Sequence, residues 1–399
     1  MSRLDAPRVV VTGAALADGT SPELTRDVTL LVDGATVAGL WTGGEGPDPA
    51  DLGAVTVDGS GSTIVPGMVD SHAHLSLPGG AEWIARGGDA TDELLSVGEE
   101  NGRLMVHAGI RWARDVGAPR RSDADGSERA LSLVLRDRWT GAPDRPYVRA
   151  AGTWLTRSGS LPPGLAIEVD HGADLVGAVG QQLDEGADLV KLYLDGPDPD
   201  TAPFTLDEIA TAVAAAHARG ATVAAHSGTL PGARVGAEAG VDSLEHGFQL
   251  DDATAAAMVA NRVTLVSTLA VLHSWQSFRT TTRIDRFSSP DGMARIAARR
   301  ERAEESVRIA HRAGVAIAAG SDFGGGSLRA NQLAWEVQAM VSAGLEPHVA
   351  LAAATWRGGE LLGDMHAGRL RLGGPAHFSL VHGDPLSDPG ALWRIWLTR

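Results

Sequence analysis

Six residues carry the chemistry legible in this chain: His72, His74, Lys191, His226, His246 and Asp322. His72 and His74 lie in VDSHAHL, residues 69–75, where a spacing of two turns both imidazoles, and Asp70 with them, to one face of a strand. Neutral imidazole ligates Zn, Fe, Ni or Mn, and a carboxylate oxygen completes such a site while leaving a position for water. Four histidines and one aspartate suffice for one or two ions. Lys191 is the odd member, because a metal ion repels an ammonium group. It fits once burial lowers its pKa and the neutral amine is converted to a carbamate, which can bridge two ions as a carboxylate. A lone His-x-His or a lone lysine at a strand end has an ordinary structural reading; six such residues at the ends of separate stretches point to a shared site.

Those stretches repeat one pattern: a short apolar strand, a polar loop, then an Ala-rich helix. ADLVKLYL leads to TLDEIATAVAAAHARG, ATVAAHSG to GARVGAEAG, and VDSLEHGF to DDATAAAMVANR, followed by VTLVSTL and VAIAAGSD. Strands alternating with helices at this spacing form parallel βαβ units, and so many in series favour a (β/α)8 TIM barrel within the α/β class. In such a barrel the active site lies at the C-terminal ends of the strands, where each of the six residues falls. Outside it, RVVVTGAAL, DVTLLVDG, ATVAGLW and AVTVDG read as a small antiparallel sheet, and GRLRLGG and HFSLVHGD continue the same strand-and-turn character. The expected division is a barrel over residues 67–366 and a small β domain built from 1–66 and 367–399.

Composition narrows the function. The chain has 399 residues, 43% apolar and 21% charged, as in ordinary globular proteins. Its 34 basic against 50 acidic residues give a net charge of −16, and no basic cluster suited to a phosphate backbone is present, so nucleic acid is excluded as an expected partner. There is no cysteine, hence no disulfide, thiolate ligand or Cys nucleophile. No Ser sits in a G-x-S-x-G elbow. The glycines of GSDFGGGS, residues 320–327, lack the Lys-Ser/Thr ending of a phosphate loop and read as room for the backbone around Asp322. The start, MSRLDAPRVVVTG, lacks a secretory signal's apolar core, and no apolar run approaches the ~18 residues that span a membrane. A soluble cytoplasmic protein is expected, with no membrane partner.

VPGMVDSHAHL, DLVKLYLDG, AAHARGATVAAHSG, AGVDSLEHG and AAGSDFGG together resemble the amidohydrolase superfamily, in its Xaa-Pro dipeptidase-like or imidazolonepropionase-like branch. The resemblance extends to LAAATWRGGELLG and the closing strands, so it covers nearly the whole chain. It implies a TIM barrel with a small β-sandwich built from both termini. It also implies two divalent cations, zinc foremost with Mn, Fe or Ni as alternatives. His72, His74 and Asp322 would hold the more buried ion, His226 and His246 the other, with carboxylated Lys191 between them. A hydroxide shared by the ions would attack an amide-type C–N bond of a dipeptide, N-acyl amino acid or related small amide, and Asp322 would move the proton. A cyclic amide, lactone or ester is the alternative substrate, and a catalytically inactive barrel acting as a binding protein the alternative role. A mononuclear deaminase or imidazolone-type ring opener fits less well, because those branches generally lack the bridging lysine, whereas VKLYLDG places Lys191 in register. The family's Gly-Gly-His segment is replaced by GTWLTRSGSLPPG, and its TTVRD by RWARD. Many members self-associate, and a homo-oligomer is compatible with this chain.

Residues near the strand ends supply candidates for substrate contact. Tyr193, two beyond Lys191, faces the same cavity on a continuing strand, where a phenol can hydrogen-bond a carbonyl or carboxylate. His273 falls four residues after VTLVSTL, in an expected loop on the same face. Arg279, Arg283 and Arg286 belong to a basic stretch, and any that reaches the pocket could clamp a substrate carboxylate. Trp83, Trp154 and Trp275 could form an apolar wall. His217 and His311, on predicted helices, read as surface histidines.

Overall fold

The computed structural model describes residues 6–122, 128–162 and 164–399. Eight strands run parallel around one axis: Met68–Ala73, Ile110–Asp115, Tyr147–Ala150, Leu189–Tyr193, Thr222–Ser227, Ser243–His246, Thr264–Ser267 and Ile317–Ala319. The first three pair among themselves and the last five form a second run. Single parallel bridges, Ala151 to Leu189 and Ala73 to Phe323, join the two runs, and the backbone N–H of Asp322 donates to the carbonyl of His72 at 2.8 Å. The result is the expected (β/α)8 barrel.

The helices follow from local sequence. Leu206–His217 opens with a capping box, in which Thr205 Oγ1 accepts from the Glu208 backbone N–H and the Glu208 carboxylate accepts from that of Thr205. Such a cap is worth about 0.5–2 kcal/mol. The helix buries Ile209, Ala212, Val213 and Ala216, at successive steps of three, one and three, so one stripe faces the strands. Pro290–Ala313 has Ser289 at its N-cap with Pro290 in its first turn, and ends at Gly314 with φ 81°.

Both ends of the chain contribute to one seven-stranded sheet. Its order is Ile395–Thr398, Phe378–His382, Ser62–Pro66, Arg8–Leu16, Thr25–Asp33 and Thr36–Trp41, with Val55–Asp58 beside Arg8–Leu16. Strand alternation divides its side chains. Ile64 and Leu380 enter the sheet's own core with Val9, Val11 and Phe378, while Val65 and Val381 enter the barrel's core. The sheet is mixed, not antiparallel as expected: Arg8–Leu16 runs parallel to both Val55–Asp58 and Ser62–Pro66. The segment between Trp41 and Val55, carrying a 3-10 turn at Pro49–Leu52, is long enough to cross over and return in the same direction.

Parallel strands deliver their C-terminal ends to one rim. Among the described residues no helix is long and apolar enough to cross a membrane.

Candidate metal centre and its cavity

The four histidines converge on that rim. Ring centroids are 5.2 Å apart for His72 and His74, 4.6 Å for His72 and His246, and 4.7 Å for His226 and His246. His72, His74, Lys191 and His246 are at most 5% exposed. Asp322 Oδ1 lies 3.5 Å from Nε2 of His72 and 3.3 Å from Nε2 of His74, and donor atoms of these three residues all fall within 4.8 Å of one another. Asp70, by contrast, accepts from the backbone N–H and hydroxyl of Ser321 and stays outside this group.

Each imidazole is oriented from behind. His72 Nδ1 donates to Oε2 of Glu245 at 2.6 Å, and His74 Nδ1 to the carbonyl of Gly117 at 2.7 Å. His246 Nδ1 meets Thr268 Oγ1 at 2.7 Å, while His226 uses its other nitrogen, Nε2, toward Oδ2 of Asp195 at 3.1 Å. Glu245 is itself bound by the Arg114 guanidinium and by Ser243 Oγ, and Arg114 also donates to Ser243 Oγ at 2.8 Å and to the carbonyl of Ser71 at 2.7 Å. Burial would raise the Glu245 pKa, but Arg114 and Lys191 hold it well below the carboxylate range.

The donor set fits a cation. A carbonyl and an ionised carboxylate only accept, so the Nδ1 atoms of His72 and His74 carry their protons, and in the neutral rings Nε2 presents a lone pair. Two such lone pairs then face Asp322 Oδ1, at 3.5 Å from His72 and 3.3 Å from His74, with no proton between them. Burial would raise the Asp322 pKa, but its contacts with His72 and His74 hold it well below the carboxylate range. Lys191 Nζ is the second sign. It is buried without a hydrogen-bond partner, and burial pushes its pKa down to about 8. Glycine leaves space for the rings: a Cβ at Gly320 would stand 2.4 Å from the His72 Cβ, and one at Gly325 2.1 Å from the His74 ring.

A cavity of about 300 Å³ opens over these residues. Tyr193 lines it and stacks on His226 at 3.9 Å with an interplanar angle of 8°. Trp83, Trp154 and Trp275 line it too; Trp83 and Trp275 stack at 5.8 Å, and both sit in helices. Of the three arginines singled out, Arg286 lines the cavity, over the rings of Trp83 and Trp275; Arg279 and Arg283 do not. Arg299, on the helix Pro290–Ala313, lines it against Phe248. His273 lies on the helix Leu269–Ser277 rather than in a loop, and its Nε2 points to Glu304 at 3.5 Å, away from the cavity. His217 and His311 pair with Asp242 and Glu346 on the outside. A larger cavity, about 500 Å³, lies at the opposite end of the barrel around Leu189, Thr222 and Ile317, and none of the histidines lines it.

Glu245, Arg114, Asp195, Thr268 and Arg299 escaped the sequence reading. Strand alternation sends Glu245 inward and would turn its neighbour His246 outward; a left-handed φ of 68° at His246 brings its ring back to the rim. Asp322 has φ 51°. SLEHG and DFGG hold no local signal for these turns, though Glu245 and Asp195, each within two residues of a chemistry-bearing side chain, were the signals to follow.

A model of the Amidohydrolase family matches residues 63–395. An uncharacterized protein of Mycobacterium tuberculosis is 31% identical over 327 residues, covering 76% of this chain and 75% of its own length. A protein of Streptomyces coelicolor named imidazolonepropionase is 29% identical over 277 residues, 64% of this chain and 66% of its own. In fold, the chain is similar to a crystal structure of a Xaa-Pro dipeptidase with bound methionine, at TM-score 0.83 and 23% identity, over 98% of both chains.

Proposed function

Because the chain belongs to the amidohydrolase family, we propose that it is a metal-dependent hydrolase cleaving an amide-type C–N bond of a small substrate. The observation that carries this reading is the convergence of His72 Nε2, His74 Nε2 and Asp322 Oδ1 on one point beside the buried, partnerless amine of Lys191. His72, His74 and Asp322 would hold one divalent ion, His226 and His246 a second, and Lys191, carboxylated, would lie between them; zinc is the first choice, with Mn, Fe or Ni as alternatives. Bound there, the ions would polarise the scissile carbonyl and acidify water.

The chain's own groups do the rest. Asp322 takes a proton from the attacking water as its oxygen bonds to the carbonyl carbon, then returns that proton to the nitrogen as the C–N bond breaks. The products are a carboxylic acid and an amine. Trp83, Trp154 and Trp275 supply an apolar wall that excludes water from the bound substrate. Tyr193 offers a phenol to a substrate oxygen.

Arg286 and Arg299 favour an anionic substrate. Both line the cavity, and both have their pKa pushed down, first by burial and in part by neighbouring arginines, Arg299 beside Arg286 and Arg302 beside Arg299. A dipeptide or N-acyl amino acid would bring the compensating carboxylate. The test is metal analysis followed by a hydrolysis screen of the metal-loaded protein against dipeptides, N-acyl amino acids, lactams and lactones. About two ions per chain and turnover of linear amides are expected. Turnover confined to lactams or lactones would shift the substrate to cyclic compounds, and a stable protein without metal affinity would remove the reading.

A further inference from the structure

His226 stands apart from the other three histidines, because it is gripped by Nε2 instead of Nδ1. Its grip is a carboxylate whose position is strongly determined. Asp195 Oδ2 accepts from the backbone N–H of Gly228 at 2.8 Å, and Oδ1 accepts from Thr229 Oγ1 at 2.8 Å and Ser227 Oγ at 3.2 Å. The Tyr193 ring, stacked at 3.9 Å, fixes the plane of the imidazole from one side. Asp195 sits on the segment following Leu189–Tyr193, whereas His226 to Thr229 belong to the end of the next strand and its loop. The contact therefore ties two adjacent strand ends together. An ionised carboxylate can only accept, so Nε2 of His226 carries the proton and the neutral ring has its lone pair on Nδ1.

We propose that Asp195 is a positioning residue that selects Nδ1 of His226 as the ligand atom and thereby governs occupancy of the second metal position, independently of the first. The inference rests on the two-metal reading above. The division of labour at the site supports it. Of the pair expected at the first position, His72 is backed by the carboxylate of Glu245 and His74 by a neutral carbonyl. The second pair has the same composition, His226 with Asp195 and His246 with the Thr268 hydroxyl. A carboxylate behind an imidazole raises its basicity as a ligand, and losing such a partner typically weakens metal binding about 10–100-fold. Glu245 is hydrogen-bonded by the Arg114 guanidinium, while the hydrogen-bond partners of Asp195 other than His226 are neutral hydroxyls and a backbone amide, with the Arg299 guanidinium nearby but not hydrogen-bonded to it.

Asp195→Asn is the decisive substitution, because its amide can donate to Nε2 and favour the opposite tautomer without removing volume. On zinc titration the unaltered chain should bind two ions, and Asp195→Asn should bind the first with unchanged affinity and the second about 10–100-fold more weakly. Asp195→Glu should recover part of the loss. In protein with 15N-labelled histidine, the His226 proton should reside on Nε2 in the unaltered chain and leave it in Asp195→Asn. An unchanged tautomer, or equal weakening of both ions, overturns the proposal. If the unaltered chain binds one ion, the two-metal reading fails by itself, and the tautomer measurement still decides whether Asp195 governs His226. Should Asp195→Asn not fold, Thr229→Val, which removes a hydroxyl donor to Asp195, should weaken the second ion in the same direction, and no change would count against the proposal.

Discussion

Nδ1 of His72, on the first barrel strand, lies 2.6 Å from Oε2 of Glu245, on the sixth, so one hydrogen bond spans the barrel interior from Met68–Ala73 to Ser243–His246. Glu245 therefore has two tasks, orienting an imidazole and balancing the buried guanidinium of Arg114. Replacing it should separate them. Glu245→Gln should weaken metal binding about 10–100-fold, read by competition with a chelating dye. Arg114→Met takes the directly hydrogen-bonded cation away from the buried Glu245 and should cost about 3–5 kcal/mol in a denaturant titration. Equal stability of Arg114→Met and the parent would contradict the pairing.

Asp322→Asn removes the group assigned to proton transfer while keeping an oxygen near His72 and His74. Much of the metal should remain, and kcat should fall about 10²–10⁴-fold against whichever amide proves to be turned over. A kcat near that of the parent would take this role away from Asp322.

Lys191 links activity to pH in the reconstitution step. Burial holds its pKa at about 8, below the ordinary lysine value, so the neutral amine that reacts with CO₂ is scarce at pH 7 and predominant by pH 9. After metal stripping, recovery with metal and bicarbonate should quicken as pH rises through about 8 and level off above it. Intact mass should show the added CO₂, and Lys191→Ala should lose one or both ions. Recovery indifferent to bicarbonate would argue against the carbamate.

Glu336, on the helix Leu333–Ser342, is fully buried and accepts from Ser267 Oγ at 2.6 Å and the Ala270 backbone N–H at 2.7 Å, on either side of the Thr268 that meets His246. Burial raises its pKa to about 8, against 4.5 for an ordinary glutamate. A raised carboxyl stabilises the fold fully below pH 4.5, and that contribution is lost as pH climbs through about 8. Glu336→Gln, which keeps the shape without the titration, should flatten this dependence, worth a few kcal/mol over the range. Urea midpoints from pH 5 to 9 measure it; parallel curves for the two proteins would refute the shift.

Arg299→Leu should raise KM for an N-acyl amino acid about tenfold or more and leave its neutral amide analogue nearly unaffected, since the lost contact is to a charge. Steady-state kinetics on the matched pair checks this. Equal loss on both substrates would mean Arg299 acts through packing on Phe248.

Several features were legible because they are local. The strand-loop-helix grammar announced the barrel, and the period of two in VDSHAHL announced that His72 and His74 face together. VKLYLDG likewise announced a lysine at a strand end. Where the reading failed, a longer-range fact decided. His273 looked close to the site because it follows a strand, yet the chain turns at once into the helix Leu269–Ser277 and directs the ring to Glu304. Arg299 was passed over inside a helix of exposed charges, and only the packing of Pro290–Ala313 beside the barrel mouth shows that this arginine lies over Phe248.

By itself, then, the sequence determined the inventory: which residues are candidate ligands, near which strand end each falls, and that all those strands end at one rim. The tertiary structure alone decided how each ligand is aimed. Glu245 reaches His72, Arg114 reaches Glu245 and Asp195 reaches His226 across separations of 173, 131 and 31 residues. The physical reason is that a strand's alternation is set by its own backbone, whereas a buried charge or imidazole proton finds its partner only when other strands close around it.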